Sequence, residues 1–128
     1  MLFRSKHNYA DSWAKEASEI LNDVHENGWK EQIGSFSQTY SNLELDSSLL
    51  LMEEYGFIDG SDPKYVSTVK AIRDSLLHNG LMYRYKAEDD FGKPTSAFTI
   101  CTFWLIRALF VTGEKEQASA IFNEILKY

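Results

Sequence analysis

The chain has 128 residues, 44% hydrophobic, 14% aromatic and 25% charged, enough apolar surface for one packed domain or one piece of a domain and too much for intrinsic disorder. Thirteen basic residues against 19 acidic ones give a net charge of -6 and a pI near 5.0, which argues against a nucleic-acid backbone or an anionic membrane as a partner. Cys101 is the single cysteine, so no internal disulfide forms, and a reducing compartment, the cytoplasm, is the expected location.

Residues 1–8 carry Arg4, Lys6 and His7 with no apolar run behind them, which reads as neither a signal peptide nor an anchor. Over 8–26, Trp13, Ala17, Ile20, Leu21 and Val24 recur at helical spacing, predicting an amphipathic helix that lies on another element, with Asn8, Asp11 or Ser12 as its cap. Residues 29–45 mix aromatics with glycine and serine and hold neither period, so a pinned loop is expected. A short apolar helix follows over 46–55, stopped by Gly56. Asp62 and Pro63 mark the cap and first position of a helix whose stripe Val66, Val69, Ile72, Leu76 and Leu77 runs to the stop Asn79-Gly80.

Residues 81–85 read as extended chain and 86–94 as a polar loop, the kind of segment where sites gather. Behind Thr95 or Ser96 as cap, the run to Val111 is apolar nearly all round, predicting a helix surrounded by protein. It is shorter than the ~20 residues that span a bilayer. Gly113 turns the chain into a last amphipathic helix over 114–128, with Ala118, Ile121, Phe122, Ile125 and Leu126 on one face. The expected class is all-α, built of helical hairpins.

No motif of nucleophilic catalysis, phosphate cradling or zinc binding is present. His7, His25 and His78 lie far apart, the latter two in expected last turns of helices, and no metal site is assigned. Cys101, on an apolar helix without a basic neighbour in sequence, reads as a buried structural thiol. Trp13, Trp29 and Trp104 read as core, and Glu53-Glu54 as a solvated helix end. Two features stay open. Arg84, between Tyr83 and Tyr85, suits either a core ion pair or a guanidinium forked onto sugar hydroxyls. Glu88-Asp89-Asp90 suits either an ion pair with Arg84 or a substrate contact.

Several blocks, in order, resemble the glucoamylase-like and trehalase-like enzymes of glycoside hydrolase family fifteen. They are Leu45-Asp46-Ser47-Ser48-Leu49-Leu50, Tyr55-Gly56-Phe57-Ile58 with Asp62-Pro63 and Thr68-Val69, Gly80-Leu81-Met82-Tyr83-Arg84-Tyr85, and Ala97-Phe98-Thr99-Ile100-Cys101-Thr102-Phe103-Trp104. The opening helix and the Gly34-Ser35-Phe36-Ser37-Gln38 loop fit the segment before them, so the resemblance covers essentially the whole chain. It implies an (α/α) toroid of alternating inner and outer helices, with residues 1–128 a single partial domain from the C-terminal side of the barrel. It also implies inverting hydrolysis of α-glucosidic bonds by two glutamates with a water between them, with no cofactor.

In the family pattern the general acid belongs to an upstream Trp-Glu motif and the general base to a Ser-Glu motif beyond the last helix. Neither stands in its place here, Glu19 and Glu44 being in other contexts, so no catalytic residue is assigned and the isolated chain is expected to be inactive. The resemblance carries over Arg84 and Tyr85 as sugar contacts, Phe98 as an aromatic wall, and Asp89 or Asp90 as an acid supporting the arginine. Thr95 and Ser96 depart from the Glu-Gly often found there. The implied partner is an α-glucan or α-glucoside, and helix faces left bare by a cut toroid are expected to drive self-association. The competing reading is a non-catalytic helical-hairpin interaction module, although no repeat of ~34 residues can be laid over the chain.

Overall fold

The computed structural model describes residues 7–128, and the reading of the N-terminal segment as neither signal nor anchor lies outside them. Helix α1 (His7–Asp23) passes through a π-turn at Val24–Gly28 into a small hairpin, β1 (Trp29–Lys30) with β2 (Ser35–Phe36). A 3-10 helix (Ser47–Leu51), α2 (Pro63–Leu76), a second hairpin of β3 (Leu77–His78) and β4 (Leu81–Met82), α3 (Thr99–Val111) and α4 (Lys115–Ile125) follow. The architecture is all-α with two minimal hairpins, arranged as helical hairpins of an (α/α) toroid.

Local chemistry sets most boundaries. Asp62 caps α2 by accepting the Lys64 N–H at 2.8 Å, and Pro63 takes the first helical position. Gly113, at φ +96°, ends α3 in a Schellman turn, its own N–H reaching the Phe110 carbonyl and that of Glu114 the Leu109 carbonyl. Asn79 and Gly80 are not a bare helix stop. Both adopt positive φ, +50° and +80°, and form the two-residue turn of the β3–β4 hairpin, because Asn-Gly matches the twist of a tight antiparallel pair. The expected helix over 46–55 shortens to a 3-10 turn, and the expected loop over 29–45 contains the first hairpin.

Each hairpin is fastened to the helix behind it by a buried threonine. Thr68 on α2 accepts the Phe36 N–H at 3.2 Å, and Thr102 on α3 accepts the Met82 N–H at 3.0 Å. The Phe98 N–H completes the second attachment by donating to the Met82 carbonyl at 2.8 Å. Thr68, Thr102 and Met82 are fully buried, so these bonds satisfy backbone groups that water cannot reach. The core around them is formed by Phe36, Leu50, Tyr65, Ile72, Leu105 and Leu109 with their neighbours. Tyr65 enters it whole, and its hydroxyl donates to the Leu50 carbonyl at 2.7 Å. Burial first, and then the nearby Glu53, pushes that phenol's pKa up, while Arg107 opposes the rise.

Several expectations change. Helix α1 is amphipathic, but every residue from Tyr9 to Ile20 is exposed and Trp13 keeps 67% of its surface; its stripe is covered only at its end, where Leu21 is half-buried and Val24 packs on the core, and Trp13 is not core. Among the described residues it runs from His7, so Asn8, Asp11 and Ser12 all lie inside it rather than at its cap. Helix α3 starts at Thr99 with Phe98 at its cap position, not Thr95 or Ser96. It is covered on one face only: Cys101, Thr102, Leu105, Ala108 and Leu109 are buried, while Ile100, Phe103 and Phe110 are exposed. Glu53 is no solvated end, since Arg107 on α3 donates to it at 2.6 Å and also faces Glu54 at 3.6 Å, clamping the chain after the 3-10 helix. His78 falls in β3 rather than in a helix.

Candidate functional site

The β3–β4 hairpin delivers the site. Two residues beyond β4, and with Met82 fixed from both sides by α3, Arg84 leaves the core with its side chain 51% exposed. Its carbonyl accepts the Ser47 N–H at 2.7 Å, and Tyr85 forms an antiparallel bridge with Asp46, so the chain here is stitched to the start of the 3-10 helix. The Arg84 Nε lies 3.4 Å from Asp46 Oδ2, and among the described residues Asp46 is the acid that meets it. Asp46 Oδ1 meanwhile accepts the Ser48 N–H at 2.7 Å.

Asp89 and Asp90 do not support the arginine in this structure. Asp89 accepts the Tyr85 hydroxyl at 2.5 Å and the Phe91 N–H at 2.8 Å, and its backbone pairs with Gly92 across the turn. Asp90 is exposed in the same turn. The physical reason is the turn itself: closing residues 89–92 onto themselves points the Asp89 carboxylate at its own loop. Neither neighbouring ring is given over to the guanidinium. The Tyr83 ring packs edge-on to His78, 6.2 Å between centroids, and the Tyr85 hydroxyl is spent on Asp89.

Tyr85, Asp89, Phe91, Pro94, Ser96 and Phe98 line an open groove of about 300 Å³. The structure therefore brings Tyr85, Asp89 and Phe98 together, while Arg84, the residue before Tyr85, is not among the residues that line the groove and turns its Nε to Asp46. Phe91, 98% exposed at the tip of the turn, and Phe98, 54% exposed, give the groove two bare aromatic surfaces. Flat apolar rings beside a few fixed polar groups suit a sugar, whose C–H faces stack while its hydroxyls hydrogen-bond. Phe91 and Asp46 went unassigned in the sequence; Asp46 carried the signal of a cap before Ser47-Ser48-Leu49, but nothing local ties it to a residue 38 positions on.

The hydrogen bonds from Tyr85 and from the Phe91 N–H hold the Asp89 carboxyl below its ordinary 3.8, and the same contact raises the Tyr85 phenol above 10.0. A depressed acid contributes to the turn above its free value and loses that contribution as pH falls through the lower folded value. The turn at 89–92 is therefore expected to hold through neutral and mildly acid solution and to loosen only below pH 3.8; the amide shift of Phe91 followed through an acid titration checks this, and movement well above that pH contradicts it.

Cys101 lies under this region, fully buried, and burial pushes its thiol pKa up, opposed in part by the Ser47 hydroxyl and the Arg84 guanidinium. A thiol held protonated is a poor nucleophile. Among the described residues no three His, Cys, Asp or Glu side chains converge as metal ligands, and no helix is long and apolar enough to cross a membrane.

The chain as a whole resembles known proteins. The profile of Glycosyl hydrolases family 15 matches residues 3–128. A trehalase of Mycobacterium tuberculosis is 37% identical over 123 residues, 94% of this chain and 18% of the trehalase. A trehalase of Thermoplasma acidophilum is 33% identical over 116 residues, 90% of this chain and 20% of its own length. The chain thus spans about a fifth of these relatives. A solved wild-type glycosidase superposes with a TM-score of 0.75 at 19% identity, over 86% of this chain and 29% of that one. Matched in sequence almost from end to end and in fold to a glycosidase, the chain belongs to Glycosyl hydrolases family 15.

Proposed function

We propose that this chain supplies part of the sugar-binding wall of an inverting α-glycosidase of carbohydrate metabolism, as a partial domain from the C-terminal side of its barrel. The observation that carries the reading is Arg84: a half-exposed guanidinium held through Nε, on the residue before Tyr85, which lines a groove with two bare aromatic rings. Its terminal nitrogens are suited to adjacent hydroxyls of a glucosyl unit. Tyr85, Asp89 and Phe98 line the same groove, with Asp90 in the turn that closes it. The trehalase relatives make trehalose the first α-glucoside to try, with maltooligosaccharides as the other class.

The chain contributes binding rather than bond cleavage. Inversion needs one carboxylic acid at the leaving oxygen and one carboxylate on the water, ~6.5–9.5 Å apart, and each is worth roughly a hundred- to ten-thousandfold in rate. Asp46 and Asp89 are both spent on neighbouring donors. Incubated with trehalose or maltose, the 128-residue chain is expected to release no glucose above a buffer blank. Turnover that survives further purification and is lost in Asp89→Asn would contradict this. The reading is of a cytoplasmic protein whose acidic charge disfavours nucleic acid and anionic lipid as partners.

The exposed apolar side chains Trp13 and Ile20 on α1, Phe103 and Phe110 on α3, Phe122 on α4 and Leu126 at its end lead us to infer that copies of the chain associate through them. Light scattering is expected to give a mass that rises above 14.7 kDa with concentration; a constant 14.7 kDa across the range removes the idea.

A further inference from the structure

We infer that Asp46 is the positioning residue that fixes the Arg84 guanidinium for its sugar contact, a role that rests on the reading of Arg84 given above. Asp46 is almost buried, with 12% of its side chain exposed, whereas Arg84 is half exposed. The carboxylate serves two donors at once: Oδ1 takes the Ser48 N–H at 2.7 Å, and Oδ2 faces the Arg84 Nε at 3.4 Å. The first bond fixes the rotation of the carboxylate, because turning it would uncap the 3-10 helix. The second therefore meets the guanidinium from a set direction.

The platform behind Asp46 is equally constrained. The Ser47 N–H and the Asp46–Tyr85 bridge tie its backbone to that of Arg84. Leu50, one turn on, is buried, and its carbonyl takes the Tyr65 hydroxyl. Arg107 grips Glu53 and Glu54 beyond that. Helices α2 and α3 thus both hold the short helix whose first turn carries Asp46.

The choice of nitrogen matters for function. An arginine bound at Nε keeps both terminal nitrogens, with four N–H donors in one plane, for a ligand. A half-exposed pair at 3.4 Å adds little to stability. Its consequence is orientation, which lowers the cost of ordering the side chain when sugar binds. Asp89 cannot take this part, since its carboxylate is committed to Tyr85 and Phe91.

Asp46→Asn separates the two tasks. Asparagine caps a helix nearly as well as aspartate, so the fold survives, but its second atom becomes an N–H donor or loses the charge that meets Arg84. In the ¹⁵N-labelled 128-residue chain, the Arg84 Nε–H signal, assigned by its loss in Arg84→Lys, is expected to be protected from water exchange. Asp46→Asn is expected to abolish that protection and weaken trehalose binding about tenfold, with the melting temperature nearly unchanged, while Asp89→Asn leaves the Nε–H signal as it was. Arg84→Lys, which keeps the charge but lacks the planar fork, is expected to lose at least as much affinity. Wild-type protection and affinity in Asp46→Asn, or wild-type affinity in Arg84→Lys, overturn the assignment of Asp46 and leave the sugar reading standing. A wild-type chain with no saturable response to trehalose or maltose overturns the sugar reading, and the role of Asp46 with it, even where the Nε–H signal depends on Asp46.

Discussion

Replacing Leu105 by alanine is expected to lower the unfolding free energy of the chain by about 2–5 kcal/mol, the usual range for truncating a large core side chain. Leu105 has no exposed surface and sits mid-way along α3, on the face that also buries Cys101, Ala108 and Leu109. Truncation removes the transfer free energy of three carbons and leaves a cavity that helices fixed at both ends cannot fill. Set against a domain stability of ~5–15 kcal/mol, that is a large share, so the urea midpoint drops sharply with little change in slope. The paired control is Phe103→Ala on the other face of the same helix, 45% exposed, for which the expected cost is under about 1 kcal/mol. Equal losses at the two positions would contradict the one-sided burial of α3.

The second large effect is expected at Thr102. Valine has nearly the same shape, so Thr102→Val keeps the packing and removes only the acceptor of the Met82 N–H. That N–H belongs to a residue with no exposed surface, and an unsatisfied buried donor costs ~1–3 kcal/mol. The penalty is local as well as global. Met82 is the last residue of β4, two before Arg84, so hydrogen exchange at the Met82 amide should accelerate first and the Arg84 signals should broaden. Thr68→Val tests the same device at the other hairpin, where the threonine accepts from Phe36 and also donates to the Lys64 carbonyl at 2.8 Å. A Thr102→Val protein with wild-type stability and unchanged Met82 exchange would show that the threonine is not what fastens the hairpin.

How far the fold can be read from the letters depends on the range of the interaction that fixes each part. Asp62-Pro63 and Gly113 were legible because a cap or a Schellman turn is settled within six residues. Asn79-Gly80 carries two meanings, helix stop and hairpin turn, and the choice belongs to Thr102, twenty residues beyond Met82, which holds the second strand in place. Helix α3 is apolar all round because it carries two apolar faces, and sequence alone does not say which face is covered. The exposure of Trp13 is hidden for the same reason, since an amphipathic stripe announces that it can pack but not where.

The site divides in the same way. Arg84 and Tyr85 stand out through their aromatic setting and their family resemblance, and Tyr85–Asp89 is a contact across four residues. The Asp46–Arg84 pair spans 38 positions and joins the start of one element to the end of another. Locally the nearest acids are Glu88-Asp89-Asp90, and the family resemblance implies Asp89 or Asp90, but the turn consumes the Asp89 carboxylate instead.

Above all, the surface around Arg84 is expected to meet sugar. Trehalose titrated into the ¹⁵N-labelled chain, read at every amide and at the Arg84 side chain, tests it most directly. Saturable shifts are expected, confined to Arg84, Tyr85, residues 89–92 and Phe98, with an apparent Kd on the order of 1–10 mM, equivalent to about 3–4 kcal/mol of binding, and lost in Arg84→Ala. Shifts absent at saturating trehalose and maltose, or shifts that persist unchanged in Arg84→Ala, would contradict it.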